Sequence, residues 1–417
     1  MNGDRTLVVP RHAGRNVLPC AVLFSRLLRL AHQVPPRIAI RDLRANIEKT
    51  HLDLLVDVLA LKEQIALQLS GQARRSLARD EEVYIAIIAP GGYEFAIAIL
   101  AVLALGAVAV PMTPALPVEE AMYFVTKSNA VAVLVCGASE PLGRDVERRM
   151  RETASQDFLC MSVKSHIGSS ALSASEIFIS SDQYLDDNKP GVVIFTSGTT
   201  GPPKGAAMRR AFVHDCALSV AEHFNVTQYD TLLHVLPVHH ATGIGIMFFP
   251  FLISGALLEF RSGSFDERWI WERWRLGAQD SGRRLTFFSG VPTIYMRLMR
   301  YYKSHLSRLP KRELNQYVAG ARQFRACLCG TSALPTSINQ FWTDLLQKRI
   351  MQRYGGSEFG AVIKMRPDNP DVPDGSVGEV FPGVDLKLSD GDEGEVLVKS
   401  PVSFARVVLL VVLAYTV

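Results

Sequence analysis

The sequence predicts an α/β fold with two αβ lobes, mainly parallel sheets and a small, partial β region. Two observations carry this prediction for the first lobe. The apolar runs "VYIAIIAP" (83–90) and "AVAVLVCG" (130–137) are typical of buried strands. Between them, "YEFAIAILAVLALGAVAVP" (93–111) has the length and composition of a buried helix followed by a turn. A strand, a helix and a second strand in this order indicate a parallel sheet.

The same pattern returns in the second half of the chain. Apolar strands are predicted at 230–238, 284–292 and 324–330, and each is followed by helix-like sequence. From 375 to 400 the pattern changes to alternating apolar residues with Gly and Asp turns between them. Such alternation favours antiparallel strands, so we expect a small β region after the second lobe.

These changes of pattern divide the chain into five predicted parts. They are a weakly ordered leader (1–19), a first lobe (20–186), a second lobe (187–370), a partial β region (371–402) and an apolar tail (403–417). The polar stretch 169–191 is predicted to be a loop that leads into the second lobe. The tail is strongly apolar and β-prone, and we expect its residues 407–417 to have nothing to pack against and to promote aggregation.

Composition limits the kinds of partner. The 417 residues include 45 basic and 41 acidic ones, a net charge of +4 that is too small to indicate nucleic acid. The six cysteines have the spacing of neither a disulfide framework nor a metal site, which favours a reducing compartment. No apolar run reaches the length of a transmembrane helix. We therefore expect a cytoplasmic protein with no protein partner implied, while the arginines of the first 20 residues leave a mitochondrial location open.

The stretch "VVIFTSGTTGPPKG" (192–205) combines a buried strand with a loop suited to phosphate. The apolar residues 192–195 predict the strand. The glycines and hydroxyls after it can form a nest of N–H groups around an anion, and Lys204 adds a mobile positive charge. Pro203 precedes this lysine and Gly205 follows it, so the stretch is not a Walker-type P-loop. A mobile surface loop is the alternative interpretation.

The order T-S-G-T-T-G-x-P-K-G resembles the signature of the adenylate-forming enzymes, which include acyl-CoA synthetases, luciferases and peptide-synthetase adenylation domains. The resemblance implies the fold of their large N-terminal domain over roughly residues 20–402. It also implies ATP, Mg²⁺ and coenzyme A as cofactors and a small carboxylic acid as substrate. In this loop it assigns nucleotide binding to Thr196, Ser197, Gly198, Thr199, Thr200, Gly201 and Lys204. Thr196 and Lys204 are also implied to be catalytic, and Thr196 to contact the metal.

Three further stretches resemble motifs of the same family in the same order. In "LPVHHATG" (236–243), His240 takes the position of a histidine that lines the acyl pocket. In "CGTSALP" (329–335), the resemblance places Gly330, Thr331 and Ser332 against the adenine. The stretch "RYGGSEFG" (353–360) resembles the motif Y-G-x-[ST]-E-x-G. There Tyr354 would stack on the adenine with Gly355 beside it, Ser357 would bond the α-phosphate or the acyl carbonyl, and Glu358 would be a catalytic ligand of Mg²⁺.

The charges of the two reactants explain why the reaction needs a lysine and a magnesium ligand. Adenylation brings the carboxylate of the acid against the α-phosphate of ATP, and both groups are negatively charged. Cations must offset these charges before the two groups can meet. Magnesium prefers one or two carboxylates together with phosphate oxygens, so one glutamate suffices. Taken alone, Glu358 would be an ordinary solvated glutamate, and the two histidines would be core or surface residues.

The stretch "SGVPTIYMRLMR" (289–300) most resembles the malonyl-CoA synthetase branch. The resemblance implies that Arg297 receives the second carboxylate of malonate. Arginine matches a carboxylate with two parallel hydrogen bonds. The alternative is that Arg297 lies on the solvent face of an ordinary helix.

The family pattern stops after "GEVLVKSPVSF" (394–404). Family members continue with a T-G-D motif, a hinge and a small C-terminal domain that carries the adenylation lysine. We find none of these and expect a truncated chain whose activity is impaired. Two functions remain open at this point: a ligase that makes an acyl adenylate and then an acyl-CoA, and a non-catalytic nucleotide-binding or interaction protein.

Overall fold

A computed structural model of the chain describes residues 14–153, 156–168, 171–196, 201–367, 372–373, 375–401 and 403–408. The strands in chain order are β1 (Val17–Cys20), β2 (Ile38–Asp42), β3 (Ile47–Thr50), β4 (Tyr84–Ile88), β5 (Val108–Met112), β6 (Ala130–Val135), β7 (Leu159–Ser162), β8 (Phe178–Tyr184), β9 (Pro190–Thr196), β10 (Lys204–Arg209), β11 (Thr231–His234), β12 (Leu257–Phe260), β13 (Phe287–Gly290), β14 (Ala326–Cys329), β15 (Met351–Gly356), β16 (Gly360–Lys364), β17 (Glu379–Val380), β18 (Asp385–Asp390), β19 (Glu393–Lys399) and β20 (Arg406–Val408).

The α-helices pack on and between the sheets that these strands form. They are α1 (Val22–Ala31), α2 (His51–Gln68), α3 (Gly71–Ala78), α4 (Tyr93–Ala104), α5 (Val118–Ser128), α6 (Glu140–Thr153), α7 (Asp215–His223), α8 (Phe249–Ile253), α9 (Glu267–Gln279), α10 (Pro292–Ser304), α11 (Lys311–Arg322) and α12 (Thr336–Leu346). A π-helical segment, Thr242–Phe248, runs directly into α8. None of the helices in the described ranges is both long enough and apolar enough to span a bilayer.

Two large sheets form the framework. The first has seven strands in the order β20-β10-β9-β5-β4-β6-β7, and the second has nine in the order β17-β16-β15-β14-β13-β11-β12-β2-β3. Their centres are parallel, whereas the β9–β10, β15–β16 and β2–β3 pairs are antiparallel. The β18–β19 hairpin forms a separate antiparallel unit, as the alternating pattern of 375–400 predicts.

The main core lies between the two sheets. Every α4 residue except Glu94 is buried there, because this helix is apolar all round. A second core, rich in tryptophan, lies under α9 to α12 on the other face of the nine-stranded sheet. A third lies under α5 and α6 on the outer face of the seven-stranded sheet.

Several elements differ from their prediction. The stretch 93–111 holds both α4 and the start of β5: Gly106, with φ of 78°, ends the helix, and the β-branched Val108 and Val110 continue as a strand. The predicted loop 169–191 contains β8 and the start of β9. The predicted leader, 1–19, includes all of β1 except Cys20, and β1 pairs with β8.

Some strands belong to the sheet of the other predicted lobe. Strands β2 and β3, from early in the chain, belong to the nine-stranded sheet, and β9 and β10 belong to the seven-stranded sheet. The expectation that residues 407–417 have nothing to pack against is wrong for Val407 and Val408, because β20 pairs with β10. Residues 409–417 lie outside the described residues.

Candidate functional site

The predicted phosphate loop connects two strands of a hairpin. Strand β9 is buried along 190–195, as its apolar run predicts, and Thr196 and Lys204 are paired across the hairpin at the end next to the connecting loop. The Thr196 hydroxyl donates to the Lys204 carbonyl oxygen at 3.3 Å. Lys204 is exposed, so its ammonium group is available to a ligand over this end of the sheet.

Helix α5 holds the loop from the side. The Tyr123 hydroxyl donates to the Pro203 carbonyl at 3.0 Å, and the Phe124 ring stacks on Phe195 at 4.2 Å. Gly201 is exposed and has open space around it. Ser197, Gly198, Thr199 and Thr200 lie outside the described residues, so their predicted role stays a prediction.

The second predicted motif also forms a hairpin. Strand β15 carries Tyr354 and Gly355, and the turn to β16 carries Ser357 and Glu358. Tyr354 is 40% exposed at the edge of the fold. A β-carbon on Gly355 would lie 2.2 Å from the Gly360 carbonyl oxygen, so only glycine fits this tight hairpin. Ser357 and Glu358 are each partly exposed at its tip.

A short segment near the end of the described chain connects the two hairpins. The Phe404 amide donates to the Glu358 carbonyl at 2.8 Å, and the next amide, that of Ala405, donates to the Ala207 carbonyl of β10 at 2.7 Å. The Glu358 turn is therefore fixed beside the strand that begins with Lys204. The structure thus brings together the two hairpins that carry the predicted phosphate and magnesium residues.

The third motif is a loop at the carboxyl end of β14. Gly330 lies against the side chain of Arg353 on the neighbouring strand, and a β-carbon on Gly330 would be 3.0 Å from the guanidinium carbon. Thr331 has a φ of 74°, a left-handed conformation that costs energy for a β-branched residue. Its hydroxyl donates to the Gly330 carbonyl, and Ser332 is exposed.

The two adjacent histidines lie in a turn after β11. Extended backbone would point their side chains in opposite directions, but the turn brings the ring centroids to 4.5 Å. His239 lines the cavity of about 550 Å³ described below, whereas His240 is exposed beside it. Burial lowers the pKa of both rings, that of His239 to about 4. The structure therefore places His239 closer to a pocket-lining position than His240.

Arg297 has partners of its own within the chain. It lies on α10 with 42% of its side chain exposed. Its guanidinium donates to the Glu267 carboxylate and, at 3.1 Å, to the Phe265 carbonyl, and it stacks on the Phe265 ring. Arg297 therefore already has a carboxylate partner within the chain.

A cavity of about 550 Å³ opens where parallel strands of both sheets end. Residues at or just after the carboxyl ends of β2, β4, β5, β6, β11 and β12 line it. Such edges are the usual ligand sites of α/β folds, because loops and helix N-termini meet there. Arg44 and Arg261 lie at one side and also line an adjoining polar cleft.

The cavity holds ionisable groups that the motifs do not indicate. His234 is buried, its Nε2 bonds the Gly243 carbonyl at 2.9 Å, and burial lowers its pKa to about 4. Burial also raises the pKa of Glu94, whose Oε2 has no hydrogen-bond partner among the described residues. Cys136 lies next to Glu94, and burial raises the pKa of its thiol. In the sequence, all three residues lie at or shortly after the end of a strand, and this position is a weak indication of a site residue.

The described residues contain no group of three or more His, Cys, Asp or Glu side chains placed to hold a metal ion. Of the predicted magnesium ligands, Thr196 lies at the end of β9, and Glu358 lies on the turn that Phe404 and Ala405 link to β10. This set is too small for a cage made of protein alone, but it fits a magnesium ion that takes its other ligands from phosphate and water.

Three comparisons relate this chain to known proteins. The family model described as AMP-binding enzyme matches residues 65–405. The chain is 29% identical to "Probable CoA ligase CCL8" of Humulus lupulus over 341 residues, which are 77% of this chain and 54% of that protein. It is 28% identical to "Malonate--CoA ligase ACSF3, mitochondrial" of Xenopus laevis over 377 residues, which are 88% of this chain and 62% of that one.

Solved structures share the fold. Apo MatB from Rhodopseudomonas palustris superposes with a TM-score of 0.71 at 22% identity, covering 94% of this chain and 71% of that one. An AMP complex of O-succinylbenzoate coenzyme A synthetase from Bacillus subtilis superposes with a TM-score of 0.69 at 20% identity. The match covers 92% of this chain and 88% of that one. The predicted fold class, that of the large N-terminal domain of adenylate-forming enzymes, is thereby confirmed. The chain spans between 54% and 66% of the length of the first three curated relatives. Because the family model covers most of the sequence, the chain belongs to the AMP-binding enzyme family.

Proposed function

We propose that this chain binds ATP·Mg²⁺ between the β9–β10 hairpin and the Tyr354–Glu358 hairpin and activates a short-chain carboxylic acid, with malonate favoured, for transfer to coenzyme A. The observation that carries the proposal is the link through Phe404 and Ala405, which fixes the Glu358 turn beside the strand that begins with Lys204. The malonate--CoA ligases among the relatives support the choice of acid.

The proposed reaction has two steps. A carboxylate oxygen of the acid attacks the α-phosphorus of ATP, the bond to pyrophosphate breaks, and an acyl adenylate forms. The thiol of coenzyme A then attacks the acyl carbon, forming a thioester and releasing AMP. Lys204 would offset phosphate charge, and Thr196 and Glu358 would hold the magnesium ion, which supplies further positive charge when bound.

The nucleotide would lie with its adenine between Tyr354 and the Gly330–Ser332 loop. Tyr354 is exposed enough to offer a ring face, and the loop is at the end of the adjacent strand. Ser357, at the hairpin tip, would reach the α-phosphate or the acyl carbonyl. Gly355 keeps the hairpin narrow enough for this approach.

The cavity at the strand ends suits the acceptor. Coenzyme A is a long molecule with an uncharged thiol arm and a phosphate-bearing end. The cavity offers a largely apolar interior beside His239, and Arg44 and Arg261 at its side would face phosphates. The alternative of a non-catalytic nucleotide-binding protein predicts ATP binding without acid activation.

Acid-dependent exchange of labelled pyrophosphate into ATP tests the proposal. We expect exchange with malonate, and we expect Lys204→Met to lower it by about a hundredfold because a charge on the phosphates is lost. Lys311→Met, which alters an exposed lysine on α11, is the matched control and should leave exchange unchanged. Exchange that is independent of acid, or equal in the two variants, would contradict the proposal. ATP binding with no exchange would favour the non-catalytic alternative.

A further inference from the structure

Between Asp280 and Glu313 the chain carries only positive charge. These 32 residues contain eight lysines and arginines and no Asp or Glu, whereas the whole chain balances 45 basic residues with 41 acidic ones. Five of the eight lie where α10 ends, a short turn follows and α11 begins. We call these five the basic tip: Arg300, Lys303, Arg308, Lys311 and Arg312.

The charge of the basic tip is not balanced within the described part of the chain. All five side chains are exposed, and none forms an ion pair with a described residue. Lys303 lies 5.2 Å from the centre of the Phe341 ring, a contact that leaves its charge unneutralised. The carboxylates of the neighbouring helix α9 have other partners: Asp266 accepts from the Trp269 amide, Glu267 binds Arg297, and Glu272 binds Arg275.

Another basic helix surface of the same protein is built differently. Four arginines of α6 each have a carboxylate oxygen within 3.1 Å, and these pairs join Arg144 and Arg151 to Glu147, Arg148 to Asp145, and Arg149 to Glu119. Such interleaved charges are typical of a helix face that meets only water. The basic tip lacks these partners, so an ordinary solvated face does not account for it.

Two of the five cations oppose the helix that carries them. Lys311 and Arg312 occupy the first turn of α11, where the positive end of the helix dipole disfavours cations. Pro310 precedes the helix and offers no side-chain cap, so the amide groups of this turn add positive charge to the tip. These two side chains therefore do not stabilise α11, and a role in binding an anion explains their placement better.

The basic tip is well anchored but offers no apolar contact surface. Leu306, in the turn, is buried in the tryptophan-rich core, and the His305 amide donates to the Tyr301 carbonyl at 2.9 Å. No large apolar side chain is exposed in 300–312, a stretch that the structure describes throughout. Protein partners usually require an apolar or aromatic centre. A charged bilayer is broad and attracts basic residues through charge alone, so the tip fits an anionic membrane surface better.

We propose that the basic tip docks this protein on an anionic lipid bilayer, with its lysines and arginines at the negatively charged headgroups. Each Lys or Arg near such a surface strengthens binding by about fivefold. The attraction falls off within about 10 Å at 0.1 M salt, so the exposed position of the tip is essential. None of the five residues lines the cavity at the strand ends, and none belongs to the proposed nucleotide site. Docking is therefore a property separate from the proposed function.

Co-sedimentation of the full chain with vesicles tests the proposal. Vesicles of phosphatidylcholine alone are compared with vesicles in which about a third of the lipid is phosphatidylserine, and a vesicle-free sample corrects for aggregation. The test variant combines Arg308→Gln, Lys311→Gln and Arg312→Gln. The matched control combines Arg29→Gln, Arg74→Gln and Arg75→Gln, which remove three exposed arginines from α1 and α3.

The unaltered chain should bind the phosphatidylserine vesicles and not those of phosphatidylcholine alone. The test variant should bind the anionic vesicles about a hundredfold more weakly, and the control variant should bind them as the unaltered chain does. Raising the salt from about 0.1 M to about 0.5 M should release the protein. Equal binding to both kinds of vesicle, equal losses in the two variants, or binding that resists salt would overturn the proposal.

Two further measurements exclude other roles of the basic tip. The test variant should melt at the same or a higher temperature than the unaltered chain, because two of its cations oppose the helix dipole. A lower melting temperature would mean that these charges serve the fold, and the proposal would fail. Duplex DNA and polyglutamate are titrated as rival polyanions. If either binds through the tip while anionic vesicles do not, the surface serves a nucleic acid or an acidic protein and the proposal also fails.

Discussion

The residues that the proposed function assigns to the nucleotide and the magnesium ion lie in two hairpins. Thr196 and Lys204, and also Tyr354 and Glu358, occur in ordered motifs, and the structure places them in two neighbouring hairpins. Their nucleotide contacts stay predictions. The burial of Arg353 could not be predicted from the sequence, because it depends on which elements pack around β15. Among the described residues, its Nη1 and Nη2 have no hydrogen-bond partner.

His234 provides a prediction at the residue scale. In the unfolded chain this ring protonates near pH 6.5, whereas burial lowers the pKa of the folded ring to about 4. Between these values the unfolded state binds the extra proton, so the free energy of unfolding falls as the pH falls. Burial of the neutral His234 ring does not lower the free energy of unfolding above pH 6.5. By pH 4 it has lowered this free energy by about 3 kcal/mol.

Urea unfolding at several pH values measures this contribution. His51 and His239 have similarly lowered pKa values and add to the total slope. His234→Gln should therefore flatten the dependence between pH 6.5 and 4 without removing it. His32→Gln, which changes an exposed ring, should leave the slope as it is. An equal slope in His234→Gln and the unaltered protein would refute this account of the buried ring.

At the scale of elements, long periodic or apolar segments are the best predicted. The strands β4, β6, β11, β13 and β14 fall within their predicted stretches. Strand β5 was assigned to a helix and its turn because "LALGAVAVP" is apolar without interruption, and only Gly106 marks the change. Pairing partners were beyond prediction, since β2 and β9 each join a sheet made mostly from a distant part of the chain.

The π-helical segment provides a prediction at this scale. It packs so closely on the turn after β11 that a β-carbon on Gly243 would lie 2.0 Å from the Pro237 carbonyl oxygen. Gly243→Ala must displace this turn and with it the cavity wall, so we expect a loss of about 1–3 kcal/mol in unfolding free energy. Gly201→Ala has open space and should change stability little. Thermal or chemical unfolding of the two variants checks the difference, and equal stabilities would argue against close packing here.

For the whole molecule, the two sheets matter because they bring distant segments to one place. The cavity receives residues from six strands of both sheets, and the phosphate hairpin of one sheet lies beside the Glu358 hairpin of the other. The link runs through residues 404–408, of which Val407 and Val408 were expected to have nothing to pack against. Apolar composition alone did not reveal that these residues continue the edge of a sheet.

Titration of ATP against this chain and against Glu358→Gln, each with and without Mg²⁺, tests the central claim most directly. Glu393→Gln, on the exposed β18–β19 hairpin, is the matched control. If ATP·Mg²⁺ lies between the two hairpins, Mg²⁺ should strengthen ATP binding by the unaltered chain and by Glu393→Gln. In Glu358→Gln most of this strengthening should be lost, because the amide replaces the one carboxylate ligand. The same dependence on Mg²⁺ in all three proteins would contradict the placement of ATP·Mg²⁺ at this site.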